Sequence, residues 1–193
     1  LGPTESLIVA DHTAHVGKVA SDLLIEAEHG TDSSVVFVST SEELIDAVET
    51  ELQIQLADLP DVRAKACRAS LGPNGGAVLV STLNEAVDVV NMYAPEHCQV
   101  AVSAQHEEMV VDGIINAGEI LIGQHTPFSA GNFVIGVPAS LPTSGFAHVS
   151  SGITVNAFLK HTAIAKANET ALRRMAPTVL ALSDHEGFPA HGN

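Results

Sequence analysis

SLIVADHTAHVGKVASDLLIEAEHGTDSSVVFVSTSEEL, residues 6–44, carries the pattern that decides the fold. Ser6-Leu7-Ile8-Val9-Ala10-Asp11 is a short apolar run ending in a carboxylate, which reads as a buried strand followed by a turn. Over residues 16–29 the apolar positions Val16, Val19, Ala20, Leu23, Leu24 and Ala27 recur at helical spacing, and Gly30 supplies the stop. Residues 34–39 form a second buried strand. Ser41-Glu42-Glu43-Leu44 opens another helix, with an N-cap and early carboxylates that suit the positive end of the helix dipole. Strand, helix, strand, helix with short joints is the mark of βαβ units and a parallel sheet.

The alternation continues outward from that stretch. Residues 77–80 read as a strand, 83–92 as a helix, 99–102 as a strand, 105–112 as a short helix and 120–122 as a last strand. After Gly123 the character changes: residues 124–152 are rich in Gly, Pro, Ser and Thr, and their apolar content points to an ordered functional loop. Helical spacing returns at residues 155–160 and 163–182, where Pro177 predicts a kink or break near Ala176. The expected fold class is α/β: a mostly parallel sheet flanked by helices, an incomplete Rossmann-like domain, then a loop-rich region and a C-terminal helical arm. The division expected is an α/β domain carrying the site, residues 1–152, and an arm and tail, residues 153–193, that supply dimer contacts.

With 193 residues the chain can bury a full core, since a domain near this size hides about 70% of its unfolded surface. Trp is absent and aromatics make up 4%, so Ala, Val, Leu and Ile must build that core. A net charge of −15 repels phosphate backbones and argues against nucleic acid as a partner. No apolar run approaches the roughly 20 residues a membrane helix needs, and no signal peptide opens the chain. Cys67 and Cys98 have no metal-type spacing; two buried free thiols fit a reducing cytoplasm. Leu1 is not an initiator Met, so the sequence is expected to begin inside a longer gene product.

Candidate chemistry sits at a few places. Glu26 and His29 lie three apart near the end of one helix, a spacing that lets a carboxylate and an imidazole share a metal ion. The same spacing is common on solvated helix faces. Ala94-Pro95-Glu96-His97 lies between a helix and a strand, and Pro95 biases Ala94 away from helix, so the Glu-His pair sits on a constrained turn. His titrates near neutrality and a neighbouring carboxylate can activate water, which suits proton transfer. Asn132 puts an amide side chain beside Gly131, and its plainer role is a turn former; His191, five residues after Glu186, is a ligand candidate or part of a loose tail. His12, His15, His106, His125, His148, His161 and His185 show no convergent spacing and read as surface or satisfied residues.

In this order the segments resemble the histidinol dehydrogenase family across almost the whole chain. The resemblance rests on Gly2-Pro3-Thr4-Glu5, on Asp22-Leu23-Leu24 through Glu28-His29-Gly30 and Asp32-Ser33, and on Ala94-Pro95-Glu96-His97. Ala117-Gly118, Thr126-Pro127, Gly131, Leu141-Pro142-Thr143-Ser144-Gly145, Ser150-Ser151-Gly152, Glu186-Gly187 and Ala190-His191 continue it. It implies oxidation of L-histidinol to L-histidine through the aldehyde, with two hydride transfers to NAD. His97 would be the general base and Glu96 the residue that activates water. Zinc would be held by Glu26, His29, Asn132 and His191, positioning the substrate. Thr4 and Glu186 would contact substrate, as would His97 and the four zinc positions. In the family's dimers the tail reaches the neighbouring site, so Glu186 and His191 would act in trans in a homodimer. The family's N-terminal half, with most dinucleotide contacts, has no counterpart here, and no cofactor-binding residue is assigned. The 193 residues alone are therefore expected to lack activity.

Three departures bear on the substrate. The resemblance puts Gln where Glu26 stands and Asp where Asn132 stands, so a carboxylate has moved between two ligand positions. A His usual in the family is missing from Val137-Pro138-Ala139-Ser140. A paralogue oxidising another small polar primary alcohol is the second reading. A non-catalytic relative that binds a ligand or partner is the third; the retained Glu96-His97 pair speaks against it, and metal content would separate it from the enzymes.

Overall fold

The computed structural model describes residues 3–193, so Gly2 of the Gly-Pro-Thr-Glu segment lies outside the described residues. The strands are β1 (Glu5–Ala10), β2 (Ser34–Ser39), β3 (Gly76–Leu79), β4 (His97–Ala101) and β5 (Glu119–Ile122). They form one parallel sheet in the order β3-β2-β1-β4-β5. The chain therefore winds outward from β1 to one edge, returns to place β4 on the other side of β1, and ends at β5. The helices of this region are α1 (Val16–Ala27), α2 (Glu42–Ala57), α3 (Asp61–Leu71), α4 (Leu83–Tyr93), α5 (Ala104–Gly113) and α6 (Phe128–Phe133).

Strand β1 shows why the sheet is covered on both faces. Successive strand side chains point to opposite faces, and a central parallel strand is apolar on both. Ile8 and Ala10 join the core cluster of α1, α2 and α3 with Val19, Leu23, Leu44, Val48 and Phe128. Leu7 and Val9 join the opposite cluster of α4 and α5 with Val87, Val90, Val100 and Val110. Edge strand β3 is largely exposed. Cys67 and Cys98 are buried free thiols, as expected; burial pushes their pKa values up to about 11 and about 12.

Several elements differ from the sequence reading. Helix α3 was not anticipated: it follows Pro60, whose fixed φ suits a helix start, and buries Ala64, Ala66, Cys67 and Ser70. The stretch read as loop contains α6, short enough to carry no periodic signal. Residues 155–160 give only a 3-10 turn, Val155–Phe158, because their apolar side chains stay exposed and nothing packs a longer helix.

The chain divides into two compact units, Leu1–Ala157 and Phe158–Asn193. In the second, α7 (Glu169–Glu186) begins later than the apolar spacing predicts. Its start is set by Asn168, whose side chain accepts the Ala171 N–H at 2.8 Å. Of the kink or break expected near Ala176, no break occurs: the helix runs through Pro177. The hydrogen bond that proline removes would have ended on Arg173, an exposed residue whose carbonyl keeps water as a partner. After Gly187, in the left-handed region at φ 71°, the turn Pro189–Gly192 folds back on the helix end, and the Ser183 hydroxyl donates to the Phe188 carbonyl at 2.6 Å. Among the described residues no helix is long and apolar enough to cross a membrane.

Candidate active site

At the amino ends of the strands, a cavity of about 240 Å³ is lined by Thr4, Glu26, His29, Glu96, His97, Glu119 and Asn132, with Gly131, Phe133, Pro138 and Ala139 completing its wall. Thr4 precedes β1, His97 opens β4 and Glu119 opens β5. Helix α1 connects consecutive parallel strands, so it runs back along the sheet and delivers its C-terminal end to this edge.

Glu26 lies on the stripe of α1 that also carries Val19, Leu23 and Ala27, and it is wholly buried. The Glu26–His29 spacing alone leaves a solvated face open; a carboxylate on an apolar stripe is the sequence signal that argues against it. Its Oε1 accepts the Asn132 Nδ2–H at 2.8 Å, while its Oε2 has no hydrogen-bond partner among the described residues. His29 falls just past the helix, and its Nδ1 lies 3.5 Å from Glu26 Oε2 and 3.0 Å from the Ile25 carbonyl. Donation of Nδ1–H to that carbonyl leaves Nε2 free, the arrangement common for a metal-binding imidazole.

Glu26, His29 and Asn132 thus meet at one wall. Among the described residues no three His, Cys, Asp or Glu side chains converge as a ready-made metal shell. Yet an unpartnered buried carboxylate oxygen, a free imidazole nitrogen and an amide oxygen are a donor set that fits zinc. Glu186 and His191 belong to the second unit, Glu186 as the last residue of α7 and His191 in the following turn, its ring centroid 5.3 Å from that of Phe188.

The Glu96-His97 turn is built as the sequence predicts, with one local surprise. Ala94 does not merely leave the helix but adopts the left-handed region, φ 54°, as the buried cap of α4. Ladder contacts hold the turn after it: the Gly118 N–H donates to the Pro95 carbonyl at 2.9 Å and the Glu119 N–H to the Glu96 carbonyl at 3.0 Å. A Cβ on Gly118 would sit 2.5 Å from the Glu96 carbonyl oxygen, so only glycine permits this approach. Glu96 Oε2 accepts the Glu5 N–H at 3.3 Å, and its Oε1 lies 3.8 Å from His97 Nε2. Burial raises the Glu96 pKa above its ordinary value, with His97 pulling the other way. Burial alone would lower that of His97, but its hydrogen bond to the Glu119 carboxylate and the fields of Glu26 and Glu96 outweigh it and hold it above the ordinary value.

Glu119 was missed by the sequence reading. Its only signal is a charged residue opening the apolar strand Ile120-Leu121-Ile122. Asp22 was also unassigned as a site residue: one helical turn before Glu26, it accepts the Gln99 Nε2–H at 2.6 Å and ties α1 to β4. Burial raises its pKa, against that hydrogen bond.

Along residues 1–193 the sequence matches the histidinol dehydrogenase family. The chain belongs to the histidinol dehydrogenase family. It is 44% identical over 190 residues to a histidinol dehydrogenase of Synechocystis sp., covering 98% of this chain and 43% of that protein. A histidinol dehydrogenase homolog of Colwellia psychrerythraea is 39% identical over 193 residues, again covering 43% of its length. The crystal structure of histidinol dehydrogenase from Elizabethkingia anophelis superposes with a TM-score of 0.91 at 31% identity, over 100% of this chain and 43% of that one. The chain thus spans less than half the length of these histidinol dehydrogenase relatives. Pro138 and Ala139, from the stretch Val137-Pro138-Ala139-Ser140, line the cavity itself.

Proposed function

We propose that the protein containing this chain is a dehydrogenase that oxidises a small primary alcohol, with L-histidinol as the leading substrate and histidine biosynthesis as the setting. The supporting observation is the cavity that gathers Glu96, His97, Glu26, His29 and Asn132 in a chain of the histidinol dehydrogenase family. When bound, NAD would supply the hydride acceptor and zinc a positive anchor for the substrate oxygen and nitrogen. Glu26, His29 and Asn132 would hold the metal, joined by His191 of a partner subunit in a homodimer.

His97 Nε2 faces the cavity and takes the hydroxyl proton of the alcohol. The imidazolium so formed is stabilised by the surrounding carboxylates Glu26, Glu96 and Glu119. Glu96, 3.8 Å from that nitrogen, orients and deprotonates the water consumed in the second oxidation. Thr4 contributes a hydroxyl at the cavity wall, and Glu186 would bind the substrate amino group from the tail. A cytoplasmic location fits this biosynthetic role.

NADH formation from L-histidinol by the complete gene product, with zinc supplied, tests the reading. Turnover supports it; no turnover in folded, zinc-loaded protein removes histidinol. The second reading, another small polar alcohol, is favoured by one observation: Pro138 and Ala139 line the cavity and present no imidazole to it.

A further inference from the structure

His97 and Glu119 are register partners across the β4–β5 ladder, so their side chains stand side by side on the same face of the sheet. His97 Nδ1 lies 2.5 Å from Glu119 Oε1, and both side chains are almost fully buried. Phe128, fully buried, packs on a further side of the ring in a T-shaped arrangement, with centroids 5.9 Å apart and planes at 70°. His97 Nε2 has Glu96 Oε1 at 3.8 Å and Glu26 Oε2 at 4.0 Å, both beyond hydrogen-bond distance. The imidazole is therefore held on one nitrogen and open on the other. A carboxylate only accepts hydrogen bonds, so its partner nitrogen is the one that carries the proton.

We propose that Glu119 is the positioning residue for His97: its carboxylate holds Nδ1–H, fixing the ring and the tautomer so that an unprotonated Nε2 faces the cavity. The catalytic part of this rests on the alcohol-oxidation reading. In that reaction the hydroxyl O–H bond breaks and its proton passes to Nε2, forming imidazolium. The C–H hydride leaves with its electron pair for NAD, and the carbon is oxidised to the carbonyl level. The Nδ1 proton stays on the ring, hydrogen-bonded to the Glu119 carboxylate, throughout. Without that carboxylate the neutral ring would favour the Nε2–H tautomer, which has no lone pair to offer the alcohol.

The test uses the full-length protein labelled with nitrogen-15 at histidine, recorded at alkaline pH, where the ring is neutral. Long-range proton–nitrogen spectra, assigned by comparison with His97→Asn, are expected to show the Nδ1–H tautomer for His97. Glu119→Ala is expected to convert it to Nε2–H and to lower kcat by about 100-fold or more. KM for the alcohol and zinc content would stay within about twofold, since neither depends on the proton acceptor. Glu119→Gln, whose amide oxygen can still accept from Nδ1–H, recovers part of the loss. If Glu119→Ala does not fold, the wild-type tautomer and Glu119→Gln decide the matter. An Nε2–H tautomer in the wild-type protein, or folded Glu119→Ala with unchanged kcat, overturns the proposal. A wild-type protein that shows the Nδ1–H tautomer but no turnover of L-histidinol sinks the histidinol reading and leaves the dyad standing.

Discussion

Asp11 shows how much one side chain can carry away from the site. It follows β1 directly, and its carboxylate accepts the Ser103 N–H at 2.9 Å and both the N–H and the hydroxyl of Thr13. Burial works against the charge, but these hydrogen bonds prevail and hold the pKa at about 2, below the ordinary 3.8. A depressed carboxylate pKa stabilises the fold above the unfolded value, and that stability is lost as pH falls toward 2. Asp11→Asn is therefore expected to cost on the order of 1–2 kcal/mol near neutrality, with the difference shrinking below pH 4. Urea unfolding at neutral and acidic pH checks this; an equal difference at both would show that the charge is not the source. At this scale the sequence was only partly informative. The run ending in Asp11 marked a turn, but that the carboxylate joins two strand ends depends on β4 lying beside β1.

Gly118 belongs to the scale of elements, because it lets β5 come close to the turn that enters β4. Gly118→Ala forces a Cβ against the Glu96 carbonyl and Pro142 Cδ, at 2.5 and 3.1 Å. Relief requires a backbone shift in the turn that carries Glu96 and His97. Overpacking of this kind costs about 1–3 kcal/mol, and the same shift misaligns the proton acceptor. Thermal unfolding and kcat of the full-length protein are both expected to fall. A lowered melting point with unaltered kcat would mean the turn absorbs the strain without moving His97. Elements with strong periodicity were legible, among them α1, β1, β2 and α4. Helix α3 was not, because its buried residues are Ala, Cys and Ser rather than a large apolar stripe. The course of α7 depends on a side-chain cap at Asn168 and on exposure around Pro177, neither visible as a hydrophobic period.

For the whole molecule, the decisive feature is which edge of the sheet carries the chemistry. Open parallel sheets usually bind ligands outside the carboxyl ends of their strands. Here Thr4, His97 and Glu119 lie at the amino ends, and α1 returns Glu26 and His29 to the same side. The site is assembled from residues distant in sequence, and the chain covers only 43% of the length of its relatives. The isolated 193-residue chain is accordingly expected to form no NADH from L-histidinol under conditions where the complete protein turns over. Turnover by the purified chain would show that these residues supply every essential contact.

The sequence by itself determined the alternation of strands and helices, the two-faced burial of β1, and the family, because hydrophobic periods and ordered motifs are properties of neighbouring residues. It also placed Glu96 beside His97, as any adjacent pair must be. Only the tertiary structure decided that Asn132 meets Glu26 at 2.8 Å, 106 residues away, and that Glu119 lies against His97. Both contacts depend on sheet register and on how elements distant in the chain pack against one another. Those are set by packing of the whole core and leave no local mark in the chain.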